Sequence, residues 1–293
     1  MCSVPNDVVV DVRANEHYTM SVRANGLFSL SVKGEKVIDR GGLHEFIDLR
    51  KWRERVMDGQ PVVTQDAPSP SVETPADHYR RAWHYLQYYN EANIANKENG
   101  WEISGVLATA EGEVGGMEYH TRIEIDDSRV INILVSRKYL EDYPTVGDNS
   151  LCFLSPGGFA KRFMVQTASE HPDRYGVRDD GKLWEPLTHS EGPVETQIPH
   201  RLRARIDGRG LGAIFGGEEG FGFGLIIDSF ADATHPGQMR CTRPRPPAEQ
   251  KFDEVEFQWG PGGKRSKVET AEFRLVACTN TSDVVNAFET CGE

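Results

Sequence analysis

No apolar run in the 293 residues approaches the roughly 18 needed to span a bilayer as a helix. The opening MCSVPNDVVVDVR has neither the basic nor the apolar region of a secretory signal. Both absences point to a soluble, cytoplasmic protein that does not engage a membrane. Cysteine is sparse: Cys2, Cys152, Cys241, Cys278 and Cys291 are widely spaced and form no C-x-x-C unit, so they read as reduced thiols rather than zinc ligands or a redox pair. Positive charge is in deficit, with 33 Lys and Arg against 45 Asp and Glu. The resulting net charge of −12 repels polyanions, which argues against nucleic acid and favours a neutral partner.

Motifs that name a reaction are missing as well. There is no H-E-x-x-H helix, EF-hand loop, G-x-S-x-G elbow or P-loop. The glycine-rich GRGLGAIFGGEEGFGFG at 208–224 has Phe215 where a dinucleotide fingerprint needs its third glycine. No metal and no cofactor are therefore expected. In GFGFGLII the residues Phe221, Phe223, Leu225 and Ile227 alternate with Gly220, Gly222 and Gly224. Glycines along one strand face admit close approach, of packing elements more readily than of a ligand.

What is present is alternation. Turn signals recur about every ten residues, and the apolar residues between them mostly alternate with polar ones, the signature of antiparallel strands. Strands are expected at 7–12, 17–23, 27–32, 83–95, 101–110, 117–126, 129–136, 159–167, 200–207, 221–230, 252–259 and 268–278. ENG at 98–100 and DDSR at 126–129 read as hairpin turns. Helices are few: LHEFIDLRKWRERVM at 43–57 sets Phe46, Leu49, Trp52 and Val56 near one face, and TSDVVNAFE at 281–289 opens with good capping residues. The fold class is mainly β, a large antiparallel β-sandwich with a few short helices, forming a single domain over 1–293. The proline-rich stretch at 60–77 is a surface connection or flap. Long irregular stretches at 168–199 and 231–250 are placed to serve function.

Several strands carry chemically loaded faces. Side chains two apart on a strand point the same way, roughly 6.5–7 Å apart, a pitch suited to one sugar ring or two adjoining ones. GGMEYHTRIEID at 115–126 lines up His120, Arg122, Glu124 and Asp126 opposite Tyr119, Thr121, Ile123 and Ile125. Other rows are Arg201, Arg203 and Arg205; Glu254, Glu256 and Gln258; and Thr270, Glu272 and Arg274. Trp83, Tyr85 and Tyr89 share a further face. One wet face of an antiparallel sheet explains any single row. Together, Arg, His, Glu and aromatics are the groups that hydrogen-bond hydroxyls and stack on pyranose rings, so a carbohydrate or sugar-like small molecule is the expected partner. A homo-oligomer is left open.

The segments HYTMSVRANGLFSLSVKGEKVID, EYHTRIEIDDSRVINILVSRKYLED, FGFGLIIDSF and AEFRLVAC resemble, in order and rhythm, strands of the galactose-mutarotase-like β-supersandwich family. The Asn-His and Phe-Asn segment of its epimerases has no counterpart here, although EHPDRY at 170–175 is similar to its His-Pro portion. The resemblance implies a supersandwich and an aldose epimerase or mutarotase-like isomerase, with a histidine protonating the ring oxygen and a glutamate taking the anomeric proton. On that expectation His120 is the acid, with His171, His189 and His235 as alternatives, and Glu256 or Glu272 is the base. Substrate contacts would come from Arg122, Trp83, Tyr85, Arg203, Arg205 and Trp259. A polysaccharide lyase using arginines to neutralise a uronate, and a non-catalytic carbohydrate-binding module, are the competing readings.

Overall fold

A computed structural model describes residues 7–48, 83–86, 88–89, 92–108, 114–139, 149–157, 159–160, 162–167, 187–188, 201–206, 209–216, 221–230, 237–242, 252–259 and 268–290. The 60–77 stretch and most of both long irregular stretches lie outside these residues.

The first of two sheets begins with β1 (Val9–Ala14), β2 (Tyr18–Arg23), β3 (Phe28–Val32) and β4 (Glu35–Asp48). It continues through β11 (Asn149–Pro156), β18 (Phe252–Trp259), β17 (Gly237–Thr242) and β14 (Arg201–Ile206), while β5 (Trp83–Leu86) pairs with β4. The second sheet starts at β13 (Leu187–Thr188) and runs through β12 (Arg162–Thr167), β15 (Gly210–Gly216), β16 (Phe221–Phe230) and β19 (Glu269–Cys278). It then passes to β10 (Val130–Tyr139), β9 (Val114–Ile125), β8 (Gly100–Ala108) and β6 (Tyr88–Tyr89), with β7 (Asn93–Lys97) pairing with β8. Every pairing is antiparallel.

The alternation seen in the sequence becomes a shared core. Tyr119 and Ile123 of β9, Ile131 and Ile133 of β10 and Phe273 of β19 face Met20, Leu30, Phe153 and Phe257 of the other sheet. Rings meet across the interface, Phe153 with Phe223 and Phe257 with Phe273, each at 5.7 Å between centroids and nearly edge to face. Both expected hairpins form. Lys97 pairs with Gly100, whose φ of 137° suits glycine, and Ser128 N–H donates to Asp126 Oδ1 at 2.7 Å in the β9–β10 turn.

Two expectations change. Residues 43–48 belong to β4 rather than a helix: Leu43 enters the core and the chain there pairs with β11 and β5, so tertiary pairing overrides the helical spacing. The expected strand at 83–95 is divided among β5, β6 and β7, the first on one sheet and the others on the second.

The helix α1 (Thr281–Glu289) lies where its capping residues place it. Asn280 and Asp283 form a reciprocal capping box. Burial raises the Asp283 carboxyl, but hydrogen bonds from the Thr279 backbone and hydroxyl and the nearby Arg129 bring it below its ordinary value. Val284 packs on the outer side of β15, β16 and β19, in a small cluster with Leu211, Phe215, Ile226 and Val276. Glycine makes this possible, since a Cβ on Gly224 would overlap the Val284 side chain. Gly224→Val is expected to lower unfolding free energy by about 1–3 kcal/mol in urea titration, with Val284→Ala in the same chain recovering part of the loss. Close packing is thus the role of the glycine stripe at this position.

Candidate functional site

A sandwich has two outer faces, and the polar rows divide between them. On the second sheet, His120 and Arg122 of β9 are exposed and Glu124 half-buried, because Tyr119, Thr121 and Ile123 turn inward. Their neighbours are Ser136, Leu134 and Asn132 of β10, and beyond these Thr270, Glu272 and Arg274 of β19. Arg122 and Glu124 form an ion pair. Arg274 holds Asp228 through two hydrogen bonds of 2.6 and 2.8 Å, and its third arm donates to the Ala287 carbonyl at the end of α1. Arg209 likewise donates to the Phe288 carbonyl at 2.6 Å and lies 3.5 Å from Asp228. Guanidiniums here close the C-terminal end of the helix, where carbonyls lack intrahelical partners.

These residues border an open groove of about 500 Å³, lined by Arg122, Glu124, Asn132, Asp228, Glu272 and Arg274 among others. His120 does not line it. Two strands and two residues separate His120 from Glu272, a Cα distance of roughly 12 Å from strand geometry.

The first sheet carries the other rows. Val255 and Phe257 of β18 enter the core, so Glu256 between them turns outward, yet it is only 3% exposed. Register runs from Gly42 of β4 through Cys152 of β11 and Glu256 to Arg240 of β17 and Arg203 of β14. The adjoining row is His44, Ser150, Gln258, Gln238 and Arg205. On the other side lie Arg40, Leu154, Glu254, Thr242 and Arg201. A carboxylate this enclosed is costly unless compensated, and an arginine position directly across from it is the arrangement that compensates.

His44 and Glu256 share this outward face, one strand apart from contact and two residues out of line, again roughly 12 Å between Cα atoms. Both side chains are buried. His44 lies within the span whose spacing predicts a helix, and the LCFL of β11, which holds Cys152, carries no strand expectation in the sequence. An alternation of Leu43, His44 and Glu45 after a Gly-Gly pair was the available signal.

The fold therefore separates the expected groups. Glu256 lies on the first sheet's outer face, and His120, Arg122 and Glu272 on the second's, with the core between them. Arg203 and Arg205 occupy strand positions in line with Glu256 and its neighbours. Trp83 and Tyr85 fall on β5, and Trp259 ends β18; for these three, as for the two arginines, the described structure is the backbone register. The alternative acids His171, His189 and His235 lie outside the described residues. A second carboxylate, Asp253, points inward: it is fully buried and accepts from the Ala160 N–H at 2.9 Å, a structural role. No group of three or more His, Cys, Asp or Glu side chains placed to hold a metal occurs among the described residues. Nor is any helix among them long and apolar enough to cross a membrane.

No family model matches the chain, and no curated protein matches it in sequence. Among solved structures, a candidate aldose 1-epimerase from Escherichia coli K12 is similar over 92% of this chain and 98% of its own, with a TM-score of 0.50 and 10% identity. A 4-α-glucanotransferase from Thermococcus litoralis is similar over 92% of this chain and 39% of its own, at TM-score 0.47 and 10% identity. A candidate aldose 1-epimerase from Klebsiella pneumoniae covers 94% and 80%, at 0.42 and 12%. At such identities the likeness concerns architecture. Among the described residues two antiparallel sheets hold nine and ten strands, and this arrangement, matched nearly end to end by the Escherichia coli structure, is a galactose-mutarotase-like supersandwich fold.

Proposed function

We propose that the protein is a carbohydrate-active enzyme that opens and recloses an aldose ring on the outer face of its first sheet. Glu256 is the base and His44 the acid. The observation that carries this reading is the position of Glu256, a nearly inaccessible carboxylate at the middle of a polar outward face that also holds a buried histidine. The fold shared with a candidate aldose 1-epimerase supports the sugar assignment.

Glu256 removes the proton from the anomeric hydroxyl while His44 gives one to the ring oxygen, and the bond between C1 and that oxygen breaks. Rotation about C1–C2 then presents the other face of the aldehyde. Reclosure reverses both proton transfers, leaving each group as it began. Acid and base acting together avoid both the oxocarbenium and the free alkoxide, which is the reason the chemistry needs two groups on opposite sides of one ring.

The test is exchange between α and β anomers, followed by NMR on a panel of aldoses. His44→Asn is expected to reduce the exchange rate by about 10²–10⁴-fold, whereas His120→Asn, altered on the opposite outer face, is expected to retain it. Loss with His120→Asn and retention with His44→Asn would move the chemistry to the second sheet, with Glu272 as base. Sugar binding without exchange in the unaltered protein would identify a binding module instead, and an unsaturated uronate product would identify a lyase.

A further inference from the structure

Exposed apolar side chains gather on one strand. Six large hydrophobic residues are exposed among the described residues, and four of them, Val8, Val9, Val10 and Val12, lie in or beside β1, between 50 and 66% exposed. β1 also ends the first sheet, pairing with β2 alone among the described strands. Edge strands carry free N–H and C=O groups that accept another strand, and lysine or proline usually blunts them. VVDVRA holds neither.

This edge is complementary to itself. Asn15 N–H donates to the Tyr18 carbonyl at 3.1 Å, so antiparallel alternation turns the backbone groups of Arg13 toward β2 and those of Val12 and Ala14 toward the open side. Asp11 and Arg13 pair with the core residues Val22 and Met20 and turn inward with them, 3.1 Å apart, which leaves Val12 on the outer side. A second β1 running antiparallel with Val12 opposite Val12 sets Asp11 of each copy across from Arg13 of the other, and Val10 across from Ala14. Centring the pair on Asp11 or on Arg13 would instead oppose like charges, which is destabilising. A shift by one residue would oppose inward with outward side chains. Charge and register thus select one arrangement. We propose that two copies of the chain associate edge to edge through β1, about a two-fold axis at Val12. The irregular register between Val9 and Asp11 keeps the ladder short, and a net charge of −12 on each copy opposes contact, so the dimer is weak and concentration-dependent.

Sedimentation velocity from about 1 to 100 µM tests this, with the average mass expected to climb toward twice that of the monomer. Val12→Lys and Val12→Asp each set like charges across the two-fold axis. Each variant alone is expected to stay monomeric, with a circular dichroism spectrum matching the unaltered protein. Mixing the two should restore the dimer, because lysine then faces aspartate. Leu134→Lys, altering an exposed apolar side chain of the second sheet, should leave association as it is. A chain that stays monomeric over the whole range would overturn the proposal, leaving the valines to another protein or to the chain's own N-terminal residues. A dimer that persists in both Val12 variants, or a loss that mixing does not reverse, would overturn it equally.

Discussion

Glu256→Gln is expected to lower the rate of anomer exchange by about 10²–10⁴-fold with little change in KM, because the amide preserves the side chain's shape but cannot take a proton. The location makes the result informative. Glu256 lies along β18 between the core residues Val255 and Phe257, in register with Cys152 and Arg240, and is only 3% exposed. Circular dichroism of the variant should match that of the unaltered protein. Exchange at the original rate in a folded Glu256→Gln chain would sink the assignment of the base, and Glu272→Gln is the companion substitution that reports on the other face.

The largest expected loss of stability comes from Trp101 on β8. Its side chain is fully buried, and its indole N–H donates to Asp11 Oδ2 of β1 at 2.9 Å, joining the two sheets at one end. The Arg13 guanidinium lies 5.8 Å from the ring centroid and donates to the Lys97 and Glu98 carbonyls of the β7–β8 hairpin. Trp101→Ala removes the ring and leaves a cavity, at a cost of about 3–5 kcal/mol by urea titration. Trp101→Phe keeps most of the apolar contact and loses the donor, a cost of about 1–3 kcal/mol.

The two variants also differ with pH. The Trp101 hydrogen bond, aided by the Val12 backbone and Arg13 and opposed by burial, holds the Asp11 carboxyl below its ordinary value. A carboxyl lowered on folding adds stability above its unfolded value, near pH 4, and loses that contribution as pH falls through the folded one. The gap between the unaltered protein and Trp101→Phe should therefore be full at neutral pH and narrow on acidification below about pH 4. A constant gap down to pH 2 would show that the indole bond does not couple to Asp11 ionisation.

Much of this architecture is legible in the sequence because most strands have one face in the core and one outside. β16 and β18 occupy their expected spans, and α1 matches its capping signal. The strands that escaped notice have physical reasons. β4 mixes a Gly-Gly pair with residues that also fit a helical stripe, and pairing with three neighbours decides the matter. β15, for which the sequence signals no strand, is buried on both faces, one against the core and one beneath α1, so it shows no alternation at all. The candidate site was less accessible. Each polar row was visible on its own strand, but two polar outer faces look alike until topology sorts the strands into sheets. His120 and Glu256 are both outward residues of well-formed strands, and only the strand order reveals that they face opposite ways.

Strand β19 sits between β16 and β10, pairing Gly222–Phe230 on one side and Val130–Arg137 on the other. During synthesis, the portion of the second sheet built from β6 to β10 and the portion built from β12 to β16 each lack that neighbour until residue 278 has left the ribosome. Two open edges flanked by Ile131, Ile133, Phe223 and Leu225 are then present at once, a template for pairing with other nascent chains. Joining elements nearly 150 residues apart is also slow, because the connecting loop must be ordered before the contacts form. Yield of folded protein should depend on translation rate and on chaperones that shield strand edges, and substitutions in β19 should depress yield more than their effect on the finished fold would indicate.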